Sequence, residues 1–226
     1  MTTLAALRQA CAYLIGDPSN AVFPALQLDQ WINDAIRDVS LHFPMITTYT
    51  INCSDDVREY DLEDNLISVI SVEYPDGEDP KHYLQQRPYT HPRFWIDADY
   101  YDLLIPRTTD SNNPPQLLIS TKPNSTEEIE ILGNSEHTSL SDSSDVTTVL
   151  ERHEHLIHLF VRWKAWSELA ITEGADPDPI KLLSATQEVN AYRADRAYRS
   201  ALKEAKDAES EARLHTWQPD LHNRIY

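Results

Sequence analysis

Residues 148–173, TVLERHEHLIHLFVRWKAWSELAITE, form the most apolar helical segment of a 226-residue chain, and the other segments are read around them. Thr148 followed three residues later by Glu151 matches a capping box. The hydroxyl can accept a free N–H of the first turn while the carboxylate reaches back, which predicts a helix starting at Thr148. Val149, His153, Leu156, Ile157, Phe160 and Trp163 recur at spacings of three and four, and Val161, Ala165, Trp166 and Leu169 add a second apolar flank. Arg152, His155, His158 and Arg162 share a polar side early on, whereas Lys164, Glu168 and Thr172 place it elsewhere. A polar side that migrates implies neighbours that change along the helix, so this is expected to be the central helix of the fold.

Toward the N-terminus, Leu4, Leu7, Cys11 and Leu14 predict a first helix over Thr3 to Ile15, stopped by Gly16 with Pro18 beyond it. A second helix follows in LQLDQWINDAIRDVSLHFP, where Leu28, Trp31, Ile32, Ala35, Ile36, Val39 and Phe43 make one face before Pro44 ends it. From Met45 the period becomes alternating, with candidate strands at 46–52, 66–74, 93–97, 100–105, 116–121 and 127–132. After the central helix, Gly174 and DPDP form a break, with Asp178 as N-cap and Pro179 at the first helical position. A long helix over Pro179 to Arg213 would reach about 50 Å. Ala194, Ala197, Ala201, Ala205, Ala208 and Ala212 line one side of it, next to Tyr192, Tyr198 and Leu202, and small side chains there would let another helix approach closely.

The expected fold is α+β. A helical bundle from both ends of the chain (1–44 and 148–213) carries an inserted, mainly antiparallel β domain (45–147), and a long C-terminal helix leads into an extended tail (214–226). That tail, LHTWQPDLHNRIY, lacks periodicity but holds Trp217, Leu221, Ile225 and Tyr226. It reads as a segment looking for a partner.

Composition narrows the function. With 37 acidic and 19 basic residues the net charge is -18, which argues against a surface built to neutralise nucleic-acid phosphates, though not against passing DNA without gripping it. Cys11 and Cys53 are too few for a disulfide framework and sit in no zinc-like cluster. The absence of a signal peptide and of any bilayer-spanning run predicts a chain that is soluble and intracellular at synthesis.

The motifs that could carry chemistry are weak. His153-Glu154-His155-Leu156-Ile157-His158 misses the zinc-protease spacing because Ile157 stands where the second histidine is required, though His155 and His158 could share an ion. Asp97, Asp99 and Asp102 resemble the start of a calcium loop, but no glycine follows at the sixth position and Thr108 replaces the glutamate at the twelfth. Tyr83, Tyr89, Phe94, Trp95, Tyr100 and Tyr101 could form a stacking platform for a sugar or base, or fill a core. With neither a Gly-rich phosphate loop nor a serine nucleophile elbow, no cofactor and no catalysis are expected. The alternatives are a binding module using the aromatic residues and a metal enzyme using His155 and His158.

The order of segments carries more. A short helix, then LQLDQWINDAIRDVSLHFP with Trp31, Asn33 and Ala35, then Tyr60-Asp61-Leu62 leading into LISVISVEY, a turn-rich β stretch and a polar loop feeding the central helix resembles the head–tail adaptor (connector) proteins of tailed bacteriophages. The likeness covers approximately Leu4 to Ala170. It implies a structural protein of the virion neck, assembled in the host cytoplasm, that forms a homo-oligomeric ring of usually twelve copies. The ring would dock on the portal protein, meet a downstream neck or tail protein, and extend the DNA channel without binding DNA specifically or touching a membrane. The resemblance also implies insertion of a C-terminal segment into the portal, a role that falls here to Trp217, Leu221, Ile225 and Tyr226.

Overall fold

A computed structural model describes residues 2–104, 114–174 and 181–216, with side chains described outside 171–174, 181–185 and 211–216. The chain divides into two compact units, Met1–Phe43 with His137–Tyr226, and Pro44–Glu136.

Four helices make up the described part of the first unit. Helix α1 (Leu4–Ile15) starts where Thr3 Oγ1 accepts the Ala6 N–H at 3.3 Å and stops at Gly16, whose φ of 82° a side chain would resist. Helix α2 (Ala25–His42) buries Leu28, Trp31, Ile32, Ala35, Ile36 and Val39, the face that its three-and-four spacing predicts. Helix α3 (Glu151–Gly174) packs against α1, α2 and the long α4 (Lys181–Thr216), so it is the central element. Leu156, Ile157, Val161 and Ala165 of α3 meet Leu4, Leu7 and Cys11, the α2 face, and Tyr198 of α4 in one core.

Two local readings change. The capping box does not form: α3 begins at Glu151, and Thr148 Oγ1 instead accepts the Thr138 N–H at 3.2 Å and lies 3.0 Å from His137 Nδ1. The alanine stripe divides. Ala194 is buried and Ala201 and Ala205 pack against the core beside Leu202, whereas Ala197 and Ala208 are exposed. Close approach by a helix does occur on that side, from this chain's own α3. Asp178 and Pro179 lie outside the described residues.

The segment leading into α3 belongs to this unit. Leu4 and Ala5 donate their N–H groups to the Asp145 and Ser143 carbonyls. Asn33 of α2 accepts the Leu140 N–H at 2.8 Å and donates to the Leu140 carbonyl at 2.9 Å. A side-chain amide in a helix thus satisfies both backbone groups of a loop residue.

The described residues of the second unit form two sheets. One is β1-β7-β3 (β1 Met45–Asn52, β3 Leu66–Glu73, β7 Glu128–Ser135), antiparallel throughout. The other is β2-β6-β5-β4 (β2 Glu59–Asp61, β4 Gln85–Gln86, β5 Tyr100–Leu104, β6 Gln116–Ile119), antiparallel except for the parallel β4–β5 pair. Val72, Ile129 and Ile131 from the first meet Tyr101, Leu117 and Ile119 from the second in a single core. Residues 93–97, expected as a strand, are instead successive turns, with the Phe94 N–H on the His91 carbonyl and the Ile96 and Asp97 N–H groups on the Arg93 carbonyl. Pro88 and Pro92 supply no ladder donors there.

Candidate functional site

Different neighbours part the α3 histidines. His155 is exposed and its Nδ1 lies 2.9 Å from the Arg152 carbonyl of its own helix. His158 Nδ1 lies 3.4 Å from Cys11 Sγ. Burial pushes the Cys11 thiol up to about 12 and holds His158 below the ordinary histidine value, with Glu154 opposing. A neutral thiol donating to a neutral imidazole fits both shifts. His153 is buried, stacks on Phe43 at 4.1 Å between ring centroids, and has Nε2 3.5 Å from Glu209 Oε1. Each histidine serves packing or a local bond, and the alternative His155–His158 ion site has no third described ligand.

Two of the three aspartates of the calcium-like segment have separate tasks. Asp102 accepts the Tyr89 N–H at 2.8 Å and the Leu103 N–H at 2.9 Å, while Asp99 sits at a φ of 78° with its carboxylate 3.4 Å from His82 Nε2. Sequence reading missed a different acidic group, Glu73, Asp76 and Glu130, whose ligand atoms lie within 4.8 Å of one another. A lysine of this chain already bridges two of the three carboxylates. Lys81 Nζ is 2.6 Å from Glu73 Oε2 and 3.7 Å from Glu130 Oε1, and the bond to Glu73 raises the lysine above its usual value. The four residues are too far apart in sequence for spacing to reveal the cluster.

The aromatic set splits. Phe94 and Tyr101 are buried, whereas Trp95, Tyr83 and Tyr89 are 42%, 51% and 42% exposed. Arg58 lies over Trp95 at 5.2 Å and Arg87 over Tyr100 at 3.8 Å. Burial of Phe94 and Tyr101 takes two of the six aromatic residues out of any ligand platform. A cleft of about 100 Å³ in the same unit is lined by Leu62, Asp64, Leu66, Val69, Leu103 and Pro115 among others.

For the tail, α4 runs to Thr216, so its first three residues, 214–216, continue the helix. Trp217, Leu221, Ile225 and Tyr226 lie outside the described residues.

The described side chains therefore offer packing and surface rather than a catalytic constellation. The family model described as SU10 adaptor protein matches residues 2–221, nearly the whole chain and both units. The chain belongs to the SU10 adaptor protein family. No curated protein matches it. As a member of this family it is a bacteriophage adaptor, a structural protein of the virion that works by contact with other virion proteins. No described helix is long and apolar enough to cross a membrane.

Proposed function

We propose that this adaptor forms a homo-oligomeric ring, of twelve copies, that docks on the portal protein in the virion neck, meets a downstream neck or tail protein, and extends the DNA channel toward the tail. The observation that carries the reading is the family match across both units. Three physical features support it. A net charge of -18 keeps a channel wall from gripping the phosphates of passing DNA. The α4 helix, about 54 Å long for its 36 residues, gives the helical unit an extended flank against which a neighbouring copy can lie. The segment after Thr216 supplies apolar anchors, Trp217, Leu221, Ile225 and Tyr226, on an otherwise polar tail.

In this reading the tail inserts into the portal and the two units keep their own folds. The direct test mixes the full-length adaptor with portal from the same source and examines the product by electron microscopy. A ring capping the portal supports the reading. Portal that stays bare at every salt concentration tried would overturn it.

A further inference from the structure

Strand β1 lies at the edge of its sheet. Just past its end, the Cys53 N–H donates to the Glu127 carbonyl at 3.0 Å. Carried back along the register from Asn52↔Glu128 to Met45↔Ser135, the alternation of an antiparallel ladder turns the backbone of the odd-numbered residues onto β7. Ile46, Thr48, Thr50 and Asn52 therefore turn their N–H and C=O groups outward. No described residue bonds them on that side, and all four side chains are exposed, Ile46 at 63%.

Proteins guard such edges with charge, proline, a bulge, shortness or a cover. The sequence of β1, MITTYTIN, has none of these in a chain of which 25% is charged. The other described edges are guarded. Strand β3 carries two register shifts, and at its far end the Val72 carbonyl accepts the Leu84 N–H and the Tyr74 N–H donates to the His82 carbonyl. Strand β2 is three residues long with Glu59 and Asp61 exposed, and β4 is two residues long.

We propose that the β1 edge is a strand-docking site and that β1 of a second copy occupies it in the free protein, antiparallel about a two-fold axis. An uncharged edge that is complementary to itself selects this occupant. Two chains of net charge -18 meet with least repulsion where the strands that touch are uncharged, as β1 is along all eight residues. A pairing that sets Thr48 against Thr50 and Ile46 against Asn52 places no like charges across the seam. Within a second copy, every other described edge is short, bulged or acidic. The product is one six-stranded sheet, β3-β7-β1 continued by its two-fold mate. An isologous contact closes on itself and does not propagate around a ring. The pair is thus a state of the free adaptor, separate from the ring reading, and neither result decides the other.

The test is sedimentation of the full chain over a wide concentration range at low and high salt, with hydrogen exchange on the same samples. The expected result is a mass that doubles with concentration, more readily at high salt because screening weakens the repulsion. Exchange slows at the amides of Ile46, Thr48, Thr50 and Asn52 in the concentrated sample. Thr48→Pro removes an outward N–H that the intrachain ladder does not use, and Thr50→Lys plants a charge on the edge. Each is expected to weaken association about tenfold or more while leaving the circular dichroism spectrum unchanged. A wild type that remains monomeric throughout overturns the proposal. So do variants that associate as the wild type does, with Thr50→Lys deciding alone if Thr48→Pro does not fold.

Discussion

His137 shows how a single side chain ties this fold to pH. Its Nε2 lies 2.9 Å from the Phe43 carbonyl and its Nδ1 3.0 Å from Thr148 Oγ1, an arrangement met by the neutral ring, which donates on one side and accepts on the other. Burial holds it below the ordinary histidine value, against the bond to Phe43, and burial likewise lowers His153 and His158 against Glu209 and Glu154. The unfolded chain thus takes up these protons first. Stability is full above about pH 6.5, the unfolded histidine value, and falls as the pH drops below it. Urea titrations from neutral to mildly acidic pH are expected to give a midpoint that falls through this window, and a flat midpoint contradicts the assignment. Tyr198 makes a second point contact, its hydroxyl donating to Asp38 while its ring meets Phe160 edge-on at 5.5 Å. Tyr198→Phe is expected to cost about 1.5–3 kcal/mol, the range for a hydrogen bond to a charged group, read from the same titrations; an unchanged midpoint would show the bond is idle. At this scale sequence reading found His153 on the apolar stripe of α3. It missed His137, because a lone histidine in a polar stretch carries no periodic signal.

Among the elements, helices were far more legible than strands. The faces of α2 and α3 follow from spacings of three and four, since a helix settles which residues share a side without reference to the rest of the chain. Strands depend on partners that sequence does not name. Residues 93–97 have strand composition but lack ladder donors nearby, and β2 and β4 are too short to show alternation. The Thr148–Glu151 pair has capping chemistry, yet His137 and Thr138 compete for the hydroxyl, a contact set by folding rather than spacing. Gly133 of β7 marks where two strands crowd. A Cβ there would sit 2.5 Å from Leu66 Cδ1 and 3.0 Å from the Ser68 carbonyl oxygen. The leucine tip can turn aside, but the carbonyl belongs to the bulged strand. Gly133→Ala is therefore expected to destabilise by about 1–3 kcal/mol, seen as a lower thermal midpoint; an unchanged midpoint contradicts the crowding.

Across the whole molecule, the order of segments was more informative than any motif, and the family match over residues 2–221 agrees with it. No cluster spacing gave a site, because an adaptor's working parts are surfaces, and surfaces are assembled from residues distant in sequence. The β1 edge illustrates this: its eight uncharged residues are visible in the sequence, but that no described residue bonds its outer side is a property of the sheet. The tail hypothesis belongs at this scale too. Deleting residues 214–226 is expected to abolish portal docking while leaving the melting behaviour of both units intact, and normal docking by the truncated chain contradicts it. The most direct measurement is of mass and shape, by light scattering and electron microscopy, for the full-length protein alone and mixed with its portal. A ring seated on the portal vertex is expected in the mixture, whatever the state of the protein alone; a mixture whose components remain separate at every salt concentration tried would contradict portal docking.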